Sequence, residues 1–149
     1  KTTRGNKVDC GDILRRRQET DYNLVVGVYS QCDDYKVFHT EYTFFIRPEH
    51  ESILWGKMNY NQLAEYVDYV KNIPAGKQAQ QETKTERTVL KNCIEDKNAL
   101  IKIHPKVDSK KQRRVQCSLK ISELMTSGIE YKVTAIREFV QSSARSFNK

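Results

Sequence analysis

The apolar residues of this chain fall into short runs whose periods differ. Tyr22 to Tyr29 is nearly continuous, with Leu24, Val25, Val26 and Val28, and predicts a central strand buried on both faces. A polar turn, Ser30-Gln31-Cys32-Asp33-Asp34, follows. Tyr35 to Ile46 is rich in β-branched and aromatic residues and should pair back antiparallel until Arg47-Pro48 stops it. From Asn61 the period lengthens. Leu63, Tyr66, Val67 and Val70 share one helical stripe, Asn59 or Asn61 can cap it, and Pro74 and Gly76 close it. Gln78 to Asp96 stays polar until Val89, Leu90, Cys93 and Ile94, so its first half reads as a solvated or partner-facing helix, or a mobile loop. Leu100 to His104 predicts a strand with Ile101 and Ile103 inward; Tyr131 to Val140 suits strand or helix, and the ending from Gln141 should fray.

The stretch from Lys106 onward changes the picture, because charge there is concentrated on a predicted hairpin. Lys106, Lys110, Lys111, Arg113 and Arg114 surround a turn that runs into a strand. Alternation sends Val115, Cys117, Leu119 and Ile121 to one face and Arg114, Gln116, Ser118 and Lys120 to the other. Arg can chelate guanine, Gln adenine, and Lys neutralises phosphate, so the outward set suits DNA or RNA. On this pattern Arg113, Arg114 and Gln116 approach base edges or phosphates, and Lys106, Lys110 and Lys111 supply backbone affinity. Arg15, Arg16 and Arg17 make a second phosphate contact.

Composition agrees. The formal charge is +7, and residues 102–120 hold seven Lys/Arg against Asp108 alone. Residues 21–101 carry more acids than bases. Such basic blocks bind polyanions or form a solvated lysine-rich loop. The length, 149 residues, suits one domain with a real core. No apolar run approaches a membrane span, which predicts a soluble chain. No hydrophobic export segment opens the sequence, but it begins at Lys1 rather than Met, so this says little about export.

Cys10, Cys32, Cys93 and Cys117 are widely spaced, with only His39, His50 and His104 to assist, which argues against structural zinc. They could form two disulfides in a secreted protein. Cys117 on an apolar strand face and Cys93 on an apolar helix side favour reduced thiols and a cytoplasmic home. No phosphate loop, dinucleotide fingerprint or nucleophile elbow is present. His104, before Pro105, reads as a strand end. Trp55, Tyr60, Tyr66 and Tyr69 suit core and helix packing better than base stacking.

The phrases Asp21-Tyr22-Asn23-Leu24-Val25-Val26-Gly27-Val28-Tyr29 and Gln112-Arg113-Arg114-Val115-Gln116-Cys117-Ser118, with two sheet-centre strands, helices and a late basic hairpin, resemble the later part of type II restriction endonucleases of the PD-(D/E)xK nuclease superfamily. The resemblance spans much of residues 8 to 121. It implies an α/β fold with a mixed, mainly antiparallel sheet flanked by helices, Mg²⁺-dependent hydrolysis of duplex DNA, and a homodimer on a palindromic site. The superfamily uses a carboxylate from one strand and a carboxylate-x-Lys from the next. The one literal match, Glu95-Asp96-Lys97, lies at a polar helix end and reads as a surface cluster. Asp9 and Asp12, flanking Gly11 before the arginines, are the candidate catalytic and metal-binding residues, and an ordinary turn and helix cap would explain them equally. Glu41 would matter if inward, and Lys1 could be the lysine of a motif whose carboxylate lies upstream. The rival expectation is a non-catalytic nucleic-acid-binding or protein-interaction module using the same basic surface.

Overall fold

The longest hairpin joins β3 (Tyr22–Cys32) to β4 (Tyr35–Ile46). Its turn places Asp33 at φ 49°, a left-handed conformation that Asp tolerates and that matches hairpin twist. In the computed structural model, which describes residues 1–142, β1 (Thr2–Thr3) adds parallel to β3 and β7 (Tyr131–Ser142) antiparallel to β4. The sheet order is β1-β3-β4-β7. A second sheet, wholly antiparallel, has the order β2-β6-β5, from β2 (Lys7–Asp12), β6 (Arg113–Lys120) and β5 (Lys102–Val107). The architecture is therefore α/β and mainly antiparallel, but the strands divide between two sheets rather than extending one.

Among the described residues six α-helices and a 3-10 turn, Pro48–His50, complete it. Asp12 caps α1 (Ile13–Gln18) by accepting Arg15 N–H at 3.0 Å. Asn59 caps α3 (Tyr60–Lys71) by accepting Gln62 N–H at 2.9 Å. Around them lie α2 (Glu51–Trp55), α4 (Lys77–Glu82), α5 (Lys84–Ile94) and α6 (Ile121–Met125). Leu24, Val26, Phe44 and Ile46 of the first sheet share one buried cluster with Val8, Ile103, Val115, Cys117 and Leu119 of the second. The stripe Leu63, Tyr66, Val67 and Val70 of α3 joins the same cluster. Trp55 and Tyr66 are core residues, whereas Tyr60 is exposed. Among the described residues no helix is long and apolar enough to cross a membrane.

Several expectations are corrected. β3 is covered on one face only: Leu24 and Val26 are buried, while Val25 is 42% exposed. Its outer face holds Asn23, Val25 and Gly27, and Glu41 stands opposite Gly27 on that same outer side. The polar segment after Gly76 is two helices that meet at Thr83, which serves as the C-cap of α4 and the N-cap of α5. Cys93 is exposed, and all four cysteines are free. Tyr131 begins a strand, in which Gln141 and Ser142 still pair with Lys36 and Tyr35; the remainder of the expected frayed ending lies outside the described residues. Glu95 and Asp96 are structural rather than a loose surface cluster. Glu95 accepts Ile103 N–H at 2.6 Å, and Asp96 accepts Lys57 N–H at 3.0 Å and Asn98 N–H at 2.9 Å.

The edge of β5 and the following turn are tied down. Besides the Glu95 contact, Gln80 Nε2 donates to the Val107 carbonyl at 3.0 Å, so α4 and α5 cover a strand edge that would otherwise be open to pairing. Asp108 Oδ1 accepts the N–H groups of Lys110 and Gln112, both at 2.9 Å, which organises the turn. These bonds hold the Asp108 carboxyl below the usual range. Arg113 staples the turn to the end of α3: its guanidinium donates to the carbonyls of Ile73, Pro74, Asp108 and Gln112 at 2.6–2.9 Å. Arg113→Ala should cost about 2–3 kcal/mol in urea unfolding, because the orphaned carbonyls add to the lost charged hydrogen bonds. Lys at this position should recover little, since one ammonium cannot reproduce the fork.

Candidate nucleic-acid interface

The outer face of the three-stranded sheet is set by register. Val8, Cys10, Ile103, Val115, Cys117 and Leu119 point into the core, so the intervening positions must point out. Pairing aligns these into rows: Lys7 with Lys120, Asp9 with Ser118 and Lys102, Asp12 with Gln116 and His104, and Arg114 with Lys106. A bulge between Asp9 and Gly11 keeps both aspartates on this face. Beyond the last row the turn presents Lys110 and Lys111, both exposed.

Lys106 and Arg114 are directly opposite, where like charges repel. Among the described residues neither has an acidic partner within ion-pair distance, and neither do Lys110 and Lys111. Gln116 lies between Asp12 and His104. This cluster of cations meets an amide in the order that the hairpin pattern predicts.

The other predicted cations are placed differently. Arg113 is bound to four carbonyls with its side chain 9% exposed, so it holds the hairpin rather than facing a partner. Arg16 lies over the Tyr22 ring and pairs with Glu19. Arg17 lies over Trp55, pairs with Glu51 at 2.6 Å and donates to the Met58 carbonyl at 3.3 Å. Both are mostly covered, so of the arginine run only Arg15 is open, and it reaches Glu19 at 3.3 Å. Asp12 gives one oxygen to the α1 cap, and its cavity of about 270 Å³ also contains Lys1, Cys10 and Arg16. Asp9 stands one row away. Among the described residues no three His, Cys, Asp or Glu side chains gather to hold a metal ion.

A group that the sequence reading passed over sits on the same face. His104 lies within β5 rather than ending it, and its Nε2 is 2.7 Å from Ser118 Oγ. Ser118 is only 3% exposed although it faces away from the core. The pair lines a cavity of about 300 Å³ with Lys7, Lys91, Lys102 and Lys120. The available signal was the hairpin register itself: pairing Lys106 with Arg114 places residues 102, 104, 116 and 118 together on the outer side.

No family model, curated protein or solved structure matches the chain. The chemistry of this face therefore rests on its own geometry.

Burial holds the His104 imidazole below its ordinary range, the ammonium groups of Lys7, Lys91 and Lys106 add to the shift, and Asp9 opposes it. Since the unfolded imidazole takes up its proton near pH ~6.5, the native state binds fewer protons below that value. The His104 contribution to stability is complete above the unfolded pKa and declines as the pH falls through it toward the lower folded value. Urea unfolding of the native chain and of His104→Gln at about pH 7.5 and about pH 5.5 should show a smaller loss for the variant. Equal losses would remove His104 from the acid sensitivity.

Proposed function

We propose that the chain binds duplex DNA through the outer face of the β2-β6-β5 sheet. The observation that carries this is the Lys106–Arg114 row, in which adjacent cations without acidic partners continue into Lys110 and Lys111. Such a face is relieved by polyanion phosphates. Beyond the end of β2 the tip of the hairpin, Pro105–Val107 with Arg113–Val115, is two-stranded and of a width that a B-DNA major groove admits. From Arg114 to Lys120 the face runs about 20 Å at ~3.3 Å per residue, enough to follow several phosphates. Arg114 and Gln116, on the strand, are the residues suited to base edges. Lys106, Lys110 and Lys111 supply backbone contacts.

With three lysines on phosphates, log affinity should fall against log salt with a slope of about −3. A slope near zero would refute phosphate binding. Arg114→Ala should cost about 1–3 kcal/mol and relax preference at one base pair, while Lys110→Ala should weaken all sequences alike. Gel shifts on specific and random duplexes separate the two effects.

A second reading, Mg²⁺-dependent endonuclease action on a palindromic site by two copies of the chain, is favoured by one observation. The Asp12 cavity brings a carboxylate together with Lys1, Arg15 and Arg16 beside the proposed DNA face. Asp9 and Asp12 supply two carboxylates, fewer than a protein-only site needs but compatible with an ion shared with substrate phosphate and water. Bound there, Mg²⁺ would polarise the phosphate and activate water. Asp12→Asn retains the cap and removes the charge. It should abolish cutting of plasmid in Mg²⁺, with EDTA as the control, and leave retardation intact. If the variant cuts as well as the native chain, Asp12 is a cap residue and nothing more. Retardation without cutting in the native chain leaves the binding module, and neither effect leaves a protein-interaction domain.

A further inference from the structure

We propose that the cavity between the end of α5 and the outer face of β5–β6 is a pocket for a phosphate group with at least three unesterified oxygens, found as the monoester at a phosphorylated nucleic-acid end and as free phosphate. Its nucleic-acid source rests on the DNA-binding reading; its chemistry does not. Four lysines, Lys7, Lys91, Lys102 and Lys120, border a space of about 300 Å³ in which Glu95 is the one acidic lining residue. Outside it Lys120 pairs with Glu123 at 3.1 Å, and Asp9 stands in the row of Ser118 and Lys102. The Glu95 carboxylate is already engaged, with one oxygen accepting Ile103 N–H at 2.6 Å and the other 3.6 Å from Lys91 Nζ. Lys102 spends one proton on the Lys97 carbonyl at 2.8 Å, which leaves two. Lys7 has no hydrogen bond or ion pair from its side chain among the described residues.

The cavity also has a neutral donor. Ser118 borders it while only 3% exposed, and its Oγ is 2.7 Å from His104 Nε2. When Nε2 carries the imidazole proton it donates to Oγ, and the Ser118 hydroxyl proton is free to turn into the cavity. Ammonium groups at the rim and a hydroxyl at the floor match a group with three terminal oxygens. A backbone diester offers two such oxygens and must leave the pocket on both sides. The monoester, with one ester link and a higher charge, satisfies more of these donors.

Two measurements on the 149-residue chain test this. In fluorescence anisotropy, a duplex with 5′-phosphate ends should bind on the order of tenfold tighter than the same duplex with 5′-hydroxyl ends. Ser118→Ala and Lys102→Met should bring the ratio of the two affinities to about one, with any further loss shared equally by both duplexes, whereas Lys110→Ala should weaken both duplexes alike and keep the ratio. In thermal unfolding, inorganic phosphate should raise the midpoint above that in chloride of equal ionic strength, and Ser118→Ala should remove the rise. If no duplex binds, or both ends bind alike, but the Ser118-dependent phosphate effect remains, the pocket stands with free phosphate as its ligand. In the first of these cases the DNA reading falls. Equal binding of both ends together with no Ser118-dependent effect of phosphate overturns the pocket.

Discussion

Strand β6 separates two demands that the hairpin must meet together. Its even alternation sends Val115, Cys117 and Leu119 into the shared core, each less than 5% exposed, and turns Arg114 and Gln116 to the opposite side. Because β6 is central, with β2 on one side and β5 on the other, its register also decides what those neighbours present. A slip of one residue would bury the cations and expose the aliphatic set, so the core itself enforces the outward face. The position of Asp9, Asp12, His104 and Lys106 follows from that single alignment.

Gathering positive charge on one face has an energetic cost, and the structure meets it with hydrogen bonds elsewhere. Lys106 and Arg114 repel across the strand pair. The hairpin nevertheless stays in place because Arg113 ties it to the end of α3 and Asp108 organises its turn. The edge of β5 is held by Glu95 and Gln80. Residual repulsion is what an anionic partner would relieve. The two adjacent proposals, a sheet face for duplex DNA and a pocket for a terminal phosphate, use neighbouring groups on one surface.

The periodic elements were legible in the sequence, and the long-range pairings were not. The β3–β4 hairpin, α3 with its Asn59 cap, and the inward Ile101 and Ile103 follow from local pattern, and the structure contains each. β2 escaped notice because Lys7–Asp12 is short, polar and interrupted by Gly11, and its partner lies more than a hundred residues away. Adjacent arginines also look alike on paper. Arg113 is drawn in by the carbonyls of Ile73 and Pro74, which the sequence cannot place beside it, whereas Arg114 stays outside. Likewise the run through Val25 looked buried on both sides, but Val25 itself is 42% exposed. The His104–Ser118 contact required register, which hydrophobic spacing alone does not supply.

The Arg113 staple has a consequence for how this surface could change over time. Its bonds secure the hairpin without using the side chains of Lys106, Lys110, Lys111, Arg114 or Gln116, which make no hydrogen bond or ion pair among the described residues. Of these, Lys110, Lys111 and Arg114 are exposed and can be exchanged at little cost to folding, since exposed substitutions away from structural contacts usually alter stability by less than ~0.5 kcal/mol. Selection, or an engineer, could therefore rewrite the contact code one residue at a time on a scaffold that does not register the edits.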